Sequence, residues 1–138
     1  MKAIDFFRKM NEVERCLHAA ERKVELFKSL AEGGTLSLDG EMVSRSRNVH
    51  ANEDAVIRLA EAKDGLRKLR DTYFSLVDMI TDRMTRLEDP EDEKLLAYHY
   101  LEHTPLTSVA LRMHRGKTWV YQRHGVALER LDRLLKDL

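Results

Sequence analysis

The sequence is poor in the residues that cross-link loops or interrupt helices. Its 138 residues include one cysteine, two prolines and six glycines. A single thiol, Cys16, forms neither an internal disulfide nor a cysteine-based zinc cluster, so a disulfide-rich scaffold is excluded. The rarity of chain breakers, together with 35% charged and 43% apolar residues, excludes a disordered tail and a collagen-like polymer.

Long apolar runs and an excess of one charge are also lacking. No stretch reaches the roughly 18 apolar residues of a membrane-spanning helix, and the start MKAIDFFRKM does not resemble a secretory signal. We therefore expect a soluble, cytoplasmic protein with no membrane partner. The 24 Lys and Arg residues balance 24 Asp and Glu residues, which taken alone argues against a nucleic-acid partner.

The first third of the chain predicts one helix followed by a loop. Apolar residues recur three and four positions apart within residues 4–30, which is the pattern of a helix with one apolar seam. Gly33-Gly34 is expected to end this helix, because glycine adopts the left-handed conformations that close helices. Residues 32–51 contain Gly, Ser, Asp and Asn without a sustained period and predict a connecting loop.

The middle of the chain predicts a second, longer helix over residues 52–88. Asn52 is a suitable N-cap, and Asp89-Pro90 is expected to stop the helix. Neither long helix can bury its apolar seam alone. We therefore expect the two helices to form an antiparallel, coiled-coil-like hairpin over residues 1–88, which a second chain would complete as a homodimer.

The last 49 residues predict three shorter helices, over residues 91–103, 105–113 and 117–136. The turn His114-Arg115-Gly116 separates the last two. A short helix, a turn with glycine and a longer helix make the outline of a helix-turn-helix. The predicted fold is thus all-α, with a helical hairpin (1–88) and a helix-turn-helix domain (90–138).

A basic segment coincides with that outline. Residues 103–128 contain no acidic residue, whereas they hold four cations: Arg112, Arg115, Lys117 and Arg123. These cations cluster at the turn and at the start of the last helix, where a recognition helix presents side chains to DNA. The segment therefore predicts double-stranded DNA as a partner, the alternative being a solvated or protein-docking surface.

The segment LLAYHYLEHTPLTSVALRMHRGKTWVYQRHGVALERL resembles region 4 of bacterial primary sigma factors. It is still more similar to the ArpU/RinA-type sigma-like late transcription regulators encoded by phages. The family pattern is carried by Leu96, Tyr100, Val109-Ala110, Val120-Tyr121, Ala127-Leu128 and Leu131. Three positions depart from it, with His99 in place of an arginine, Gly116 in place of a capping serine, and Arg123 in place of an apolar residue.

This resemblance implies a phage or prophage transcription regulator in the cytoplasm of a bacterial host, with no enzymatic activity and no cofactor. It also implies RNA polymerase as a further partner. Carried over residue by residue, the base-facing positions fall on Lys117, Thr118, Tyr121 and Gln122. Arg115 and Trp119 lie beside them, and Arg123 completes the predicted DNA-binding set, either turned toward DNA or extended from a partly buried position.

Two other functions fit parts of the sequence. A phage small terminase subunit, or another assembly protein, also couples a helix-turn-helix to helical oligomerisation segments, although it usually carries the DNA-binding part first. Residues His99 to His103 match H-x-x-E-H, the zinc-binding pattern of one group of metalloproteases. Thr104-Pro105 ends that helix at once and no third ligand has a natural position, so we expect neither a metal site nor an enzyme.

Overall fold

The computed structural model of the chain describes residues 1–33 and 45–138, the side chains of residues 45–52 excepted. All regular elements in these residues are helical, which confirms the all-α class. The α-helices are α1 (Ala3–Ala31), α2 (Arg45–Met84), α3 (Pro90–Leu96), α4 (Leu106–Arg112) and α5 (Lys117–Leu134), and a π-helical turn (Ala97–Leu101) follows α3. None of the helices described combines the length and apolar character needed to cross a bilayer.

The start of α2 differs from its prediction. The helix begins at Arg45, so Asn52 lies inside it and is not its N-cap, and the predicted loop is wrong for residues 45–51. These residues contain neither glycine nor proline, so they join the helix although they lack an apolar period. The rest of that loop, residues 34–44, lies outside the described residues.

The connection between α2 and α3 is longer than expected. α2 ends at Met84, four residues before the predicted end, and the chain turns before Asp89. Asp89 is the N-cap of α3, and its Oδ1 accepts a hydrogen bond from the backbone N–H of Glu91 at 2.9 Å. Pro90 occupies the first helical position. A backbone N–H at this position has no acceptor within the helix, so proline, which lacks the N–H, loses no hydrogen bond there.

The helix predicted over residues 91–103 is divided. α3 stops at Leu96, and the π-helical turn is closed by the N–H of Glu102, which donates to the carbonyl of Ala97 at 3.0 Å. The N–H of Thr104 then donates to the carbonyl of Tyr98 at 2.9 Å. His103, between them, has a left-handed backbone with φ of 56°. The chain has therefore left the helix before His103.

The chain forms two compact units. Unit 1 combines Met1–Asn11 with Ser75–Leu138, and unit 2 is Glu12–Phe74. These bounds differ from the division between residues 1–88 and 90–138 expected from the sequence. The assignment of a helical hairpin to residues 1–88 and of a DNA-binding domain to residues 90–138 stays a prediction.

Unit 2 has a narrow core to which both long helices contribute. Leu17 and Val24 of α1 form one buried cluster with Ala62 and Leu66 of α2. Partly buried residues extend it, namely Ala20, Phe27, Leu59, Leu69 and Tyr73. The apolar seams recognised in the sequence are thus buried against each other.

Unit 1 has the larger core. α5 packs against both α3 and α4. The largest fully buried apolar side chains of unit 1 are Phe7, Ile80, Met84, Leu95, Leu96, Val109, Val120, Leu131 and Leu135. The start of α1 belongs to this unit, since the backbone N–H of Ala3 donates to the Asp132 carboxylate at 2.6 Å and Phe7 stacks on Tyr100.

Candidate nucleic-acid interface

The face of α5 that points away from the core carries four of the seven predicted DNA-binding residues. The helix buries Val120, Ala127 and Leu131. The predicted residues on its exposed side are Lys117, Thr118, Tyr121 and Gln122. Their spacing of one, three and four positions places them together on the first turns of the helix. We call these four residues the α5 face.

A short turn fixes where α5 begins. Arg115 donates its backbone N–H to the carbonyl of Ala110 at 3.0 Å, which joins the turn to the end of α4. His114 has a left-handed backbone with φ of 55°, a conformation that is costly for a residue other than glycine. Gly116 is the N-cap and has an extended backbone, but it has no side chain to bond the first turn of α5. The α5 face thus follows a turn held by backbone hydrogen bonds.

Arg115 and Trp119 lie beside the α5 face and contact each other. The Arg115 guanidinium lies 4.6 Å from the centre of the Trp119 ring. The same group forms a two-pronged ion pair with Glu91 of α3, with Nη2–Oε1 at 2.5 Å and Nε–Oε2 at 3.1 Å. These hydrogen bonds raise the pKa of Arg115 above its usual value. Arg115 is therefore charged, with its charge compensated by a carboxylate.

Arg123 is placed apart from the α5 face. Its Nε donates to Asp92 Oδ1 at 2.5 Å and its Nη2 donates to Asp89. Asp92 is fully buried, and its other oxygen accepts from Arg130 Nη1 at 2.7 Å. Arg123 thus neutralises a buried carboxylate, and we leave it out of the proposed interface. The sequence left two orientations open for Arg123, toward DNA or extended from a partly buried position, and the structure shows the partly buried one.

Arg112 is also paired. Its Nη1 donates to Glu102 at 3.2 Å, and its guanidinium lies 3.8 Å from the centre of the Tyr98 ring. Three of the four cations in residues 103–128 therefore have acidic partners that lie outside that segment in sequence. Within the part of the chain that the structure describes, Lys117 is the segment's one lysine or arginine without an ion pair. The local positive charge is smaller than the sequence suggested.

A cluster of rings joins α5 to the π-helical turn. The Tyr100 hydroxyl and His124 Nε2 are 2.7 Å apart, and Phe7 stacks on Tyr100 with ring centres separated by 4.1 Å. His99 Nδ1 donates to the carbonyl of Thr104 at 2.8 Å. Burial lowers the pKa of His124, and the neighbouring His99 lowers it further. Sequence reasoning missed this cluster, because its members come from distant elements with no shared spacing.

The H-x-x-E-H pattern does not form the geometry of a metalloprotease site. That site needs both histidines one turn apart on an α-helix, whereas His99 lies in the π-helical turn and His103 follows it with a left-handed backbone. Among the residues described, no group of three or more His, Cys, Asp or Glu side chains is arranged to hold a metal ion.

Comparison of the chain with protein-family models, with curated proteins and with solved structures finds no match.

Proposed function

We propose that this chain is a phage or prophage transcription regulator that binds promoter DNA by laying the α5 face in the major groove. The observation that carries the proposal is the exposure of Lys117, Thr118, Tyr121 and Gln122 together at the start of a helix that follows a short turn. A single α-helix fits the major groove of B-form DNA. In this arrangement α4 and α5 act as the two helices of a helix-turn-helix.

The side chains of the α5 face supply the contacts that such binding needs. Gln122 can pair with the N6 and N7 edge of adenine, and Lys117 can bind guanine O6 and N7 or a phosphate. Thr118 and Tyr121 offer hydroxyls to base edges or to the phosphate backbone. The mechanism is positioning of the protein on DNA, without covalent chemistry.

We assign unit 2 to homodimerisation. The shared core of Leu17, Val24, Ala62 and Leu66 supports an antiparallel hairpin. Large apolar side chains stay exposed in the same unit, namely Leu26, Val56, Ile57 and Phe74. A second chain that covers them would also double the number of DNA contacts, and the resemblance to sigma region 4 adds RNA polymerase as a partner of the assembled regulator.

The proposal is tested by selecting DNA from a random library with the purified protein at two salt concentrations. The double variant Lys117→Ala, Gln122→Ala should lose sequence preference, because it lacks two base-edge contacts worth about 1–3 kcal/mol each. Its circular dichroism should match that of the original chain, since both side chains are exposed.

The matched control is Arg133→Ala, which removes an exposed cation near the other end of α5. It should select the same DNA motif as the unaltered protein. Selective binding retained by the double variant would exclude the α5 face as the reading surface. Failure of the unaltered protein to enrich any motif would reject the proposed function itself.

A further inference from the structure

A groove runs between α1 and α2 on one side of unit 2. Its volume is about 540 Å³. Val24 of α1 and Leu66 of α2 line it, and both side chains belong to the buried core of the unit. Two helices alone enclose only a narrow core, whereas two helical hairpins packed together form a four-helix bundle with a shared one. The groove is therefore the place where a second pair of helices would extend the core of unit 2.

The acidic side chains at this groove lie on one helix, and most of its cations lie on the other. α1 places Glu21 and Glu25 there, with Lys28 one turn further along, and α2 places Lys63 and Arg70. Glu21 contacts a histidine of its own helix at 3.9 Å. The other four have no ion pair within the described part of the chain. A groove with an acidic and a basic edge is unsuited to a polyanion and is complementary to itself.

Exposed apolar side chains extend the basic edge of the groove. Phe74 follows Arg70 by four residues and Val56 precedes Lys63 by seven, so helical spacing places both on the groove side of α2. Phe74 is 58% exposed and Val56 is 54% exposed. The cations at this edge thus lie between two apolar residues that a partner would remove from water.

We infer that a second copy of this chain docks groove against groove, about a two-fold axis parallel to the two helices. The inference rests on the homodimer assigned to unit 2 under the proposed function and names its interface. In two antiparallel hairpins, such an axis sets α1 of each copy against α2 of the other at the same level. Glu21 and Glu25 of one copy then face Lys63 and Arg70 of the other. Opposite charges at matching positions favour this partner over others.

The experiment measures the dimer dissociation constant of full-length variants by analytical ultracentrifugation. Lys63→Glu with Arg70→Glu should raise this constant by about tenfold or more, which corresponds to about 1.4 kcal/mol, because acidic side chains then face each other. Glu21→Lys with Glu25→Lys should weaken the dimer in the same way, through facing cations. An equimolar mixture of the two double variants should form a heterodimer, because each reversed pair then meets the opposite charge.

The matched control is Lys23→Glu with Arg58→Glu. It reverses two exposed cations of unit 2 that do not line the groove, and the dimer should keep its original affinity. Phe74→Ser changes no charge and should also weaken the dimer, because it removes apolar area from the interface. Circular dichroism of every variant shows whether its helices are intact.

The outcomes separate this inference from the homodimer on which it rests. If the unaltered chain dimerises and both charge variants do so equally well, the groove is not the interface, although the homodimer stands. Equal weakening by the control would also overturn the inference, and failure of the mixture to dimerise would exclude the groove-to-groove arrangement. If the unaltered chain is a monomer at every concentration, the homodimer and the inference fail together, while DNA selection still decides the DNA-binding part of the proposed function.

Discussion

At the scale of single residues, His124 has the environment most sensitive to pH. Its ring is half-buried against the π-helical turn, bonded to the Tyr100 hydroxyl and 5.3 Å from the ring of His99. Burial disfavours a charged imidazole, and a charged His99 would repel it, so both lower the pKa of His124. His124 therefore binds a proton less readily in the folded chain than in the unfolded chain.

We expect unit 1 to lose stability as the pH falls. The unfolded state takes up a proton on His124 near the ordinary histidine pKa of 6.5, whereas the folded state does so only at lower pH. The free energy of unfolding should thus decrease below about pH 6.5, until the pKa of the folded state is reached. Urea unfolding at about pH 7.5 and about pH 5.5 measures this decrease.

The variant His124→Gln keeps a hydrogen-bonding side chain but does not titrate. Its free energy of unfolding should fall less between the two pH values than that of the unaltered chain. His18→Gln, an exposed position in unit 2, serves as the control and should retain the full decrease. If the free energy of unfolding of His124→Gln falls as much between the two pH values as that of the unaltered chain, another group causes the decrease.

At the scale of elements, the short helix α3 depends on its contact with α5. A helix of seven residues is not stable alone in water. Asp92 links it to α5 through Arg123 and Arg130, and every oxygen of this buried carboxylate has a cationic partner. The ion pairs therefore hold α3 in the place that its apolar residues, Leu95 and Leu96, need for burial.

Asp92→Ala should lower the free energy of unfolding by about 3 kcal/mol, because it leaves two arginines without their shared buried partner. Asp82→Ala is the control, since Asp82 pairs with Arg86 at 3.0 Å with both side chains more than half exposed. That surface pair should contribute less than about 1 kcal/mol. Urea unfolding followed by circular dichroism gives both values. Equal stability of the Asp92 and Asp82 variants would contradict the role assigned to Asp92.

Local sequence predicted the elements better than their ends and their partners. The apolar period and the glycines located α1, α4 and α5 to within two residues, because these signals act over a few turns of helix. The start of α2 at Arg45 was missed, since the absence of a period does not prevent a helix.

The exposed side of α5 was likewise predictable, because helical spacing alone separates Lys117 and Gln122 from buried Val120. The ion pairs were not predictable in this way. Arg123 and Asp92 are 31 residues apart, and only the packing of α3 on α5 brings them together. The basic character of residues 103–128 was therefore overestimated from the sequence.

At the scale of the whole molecule, the paired arginines limit how strongly the chain can bind a polyanion. The sequence is neutral, with 24 cations and 24 anions. Glu91, Asp92 and Glu102 compensate three of the four cations in residues 103–128. Under the proposed function, a monomer should thus neutralise few phosphates, and the proposed homodimer would double that number.

We expect the logarithm of the DNA-binding constant to fall with the logarithm of salt concentration with a slope of about −2 to −4 per chain, since each phosphate contact contributes about −0.9. Lys117→Ala should reduce the slope by about 1, and the control Arg133→Ala should not change it. Light scattering supplies the number of chains per complex. A large ring would favour the DNA-packaging alternative, and a slope beyond about −8 per chain would contradict the charge compensation.

Unit 1 is assembled from the two ends of the sequence, and this has a consequence for the order of folding. The N–H of Ala3 finds its acceptor 129 residues later, on Asp132, and Phe7 finds its stacking partner at Tyr100. These contacts close a long loop of chain, which costs conformational entropy. The cost is smaller when part of the loop has already folded into a compact structure. Unit 2, residues 12–74, is continuous and needs only its own residues to form. During synthesis on the ribosome, unit 2 can therefore form first, whereas α5 acquires its support from α1 only after Asp132 has been synthesised.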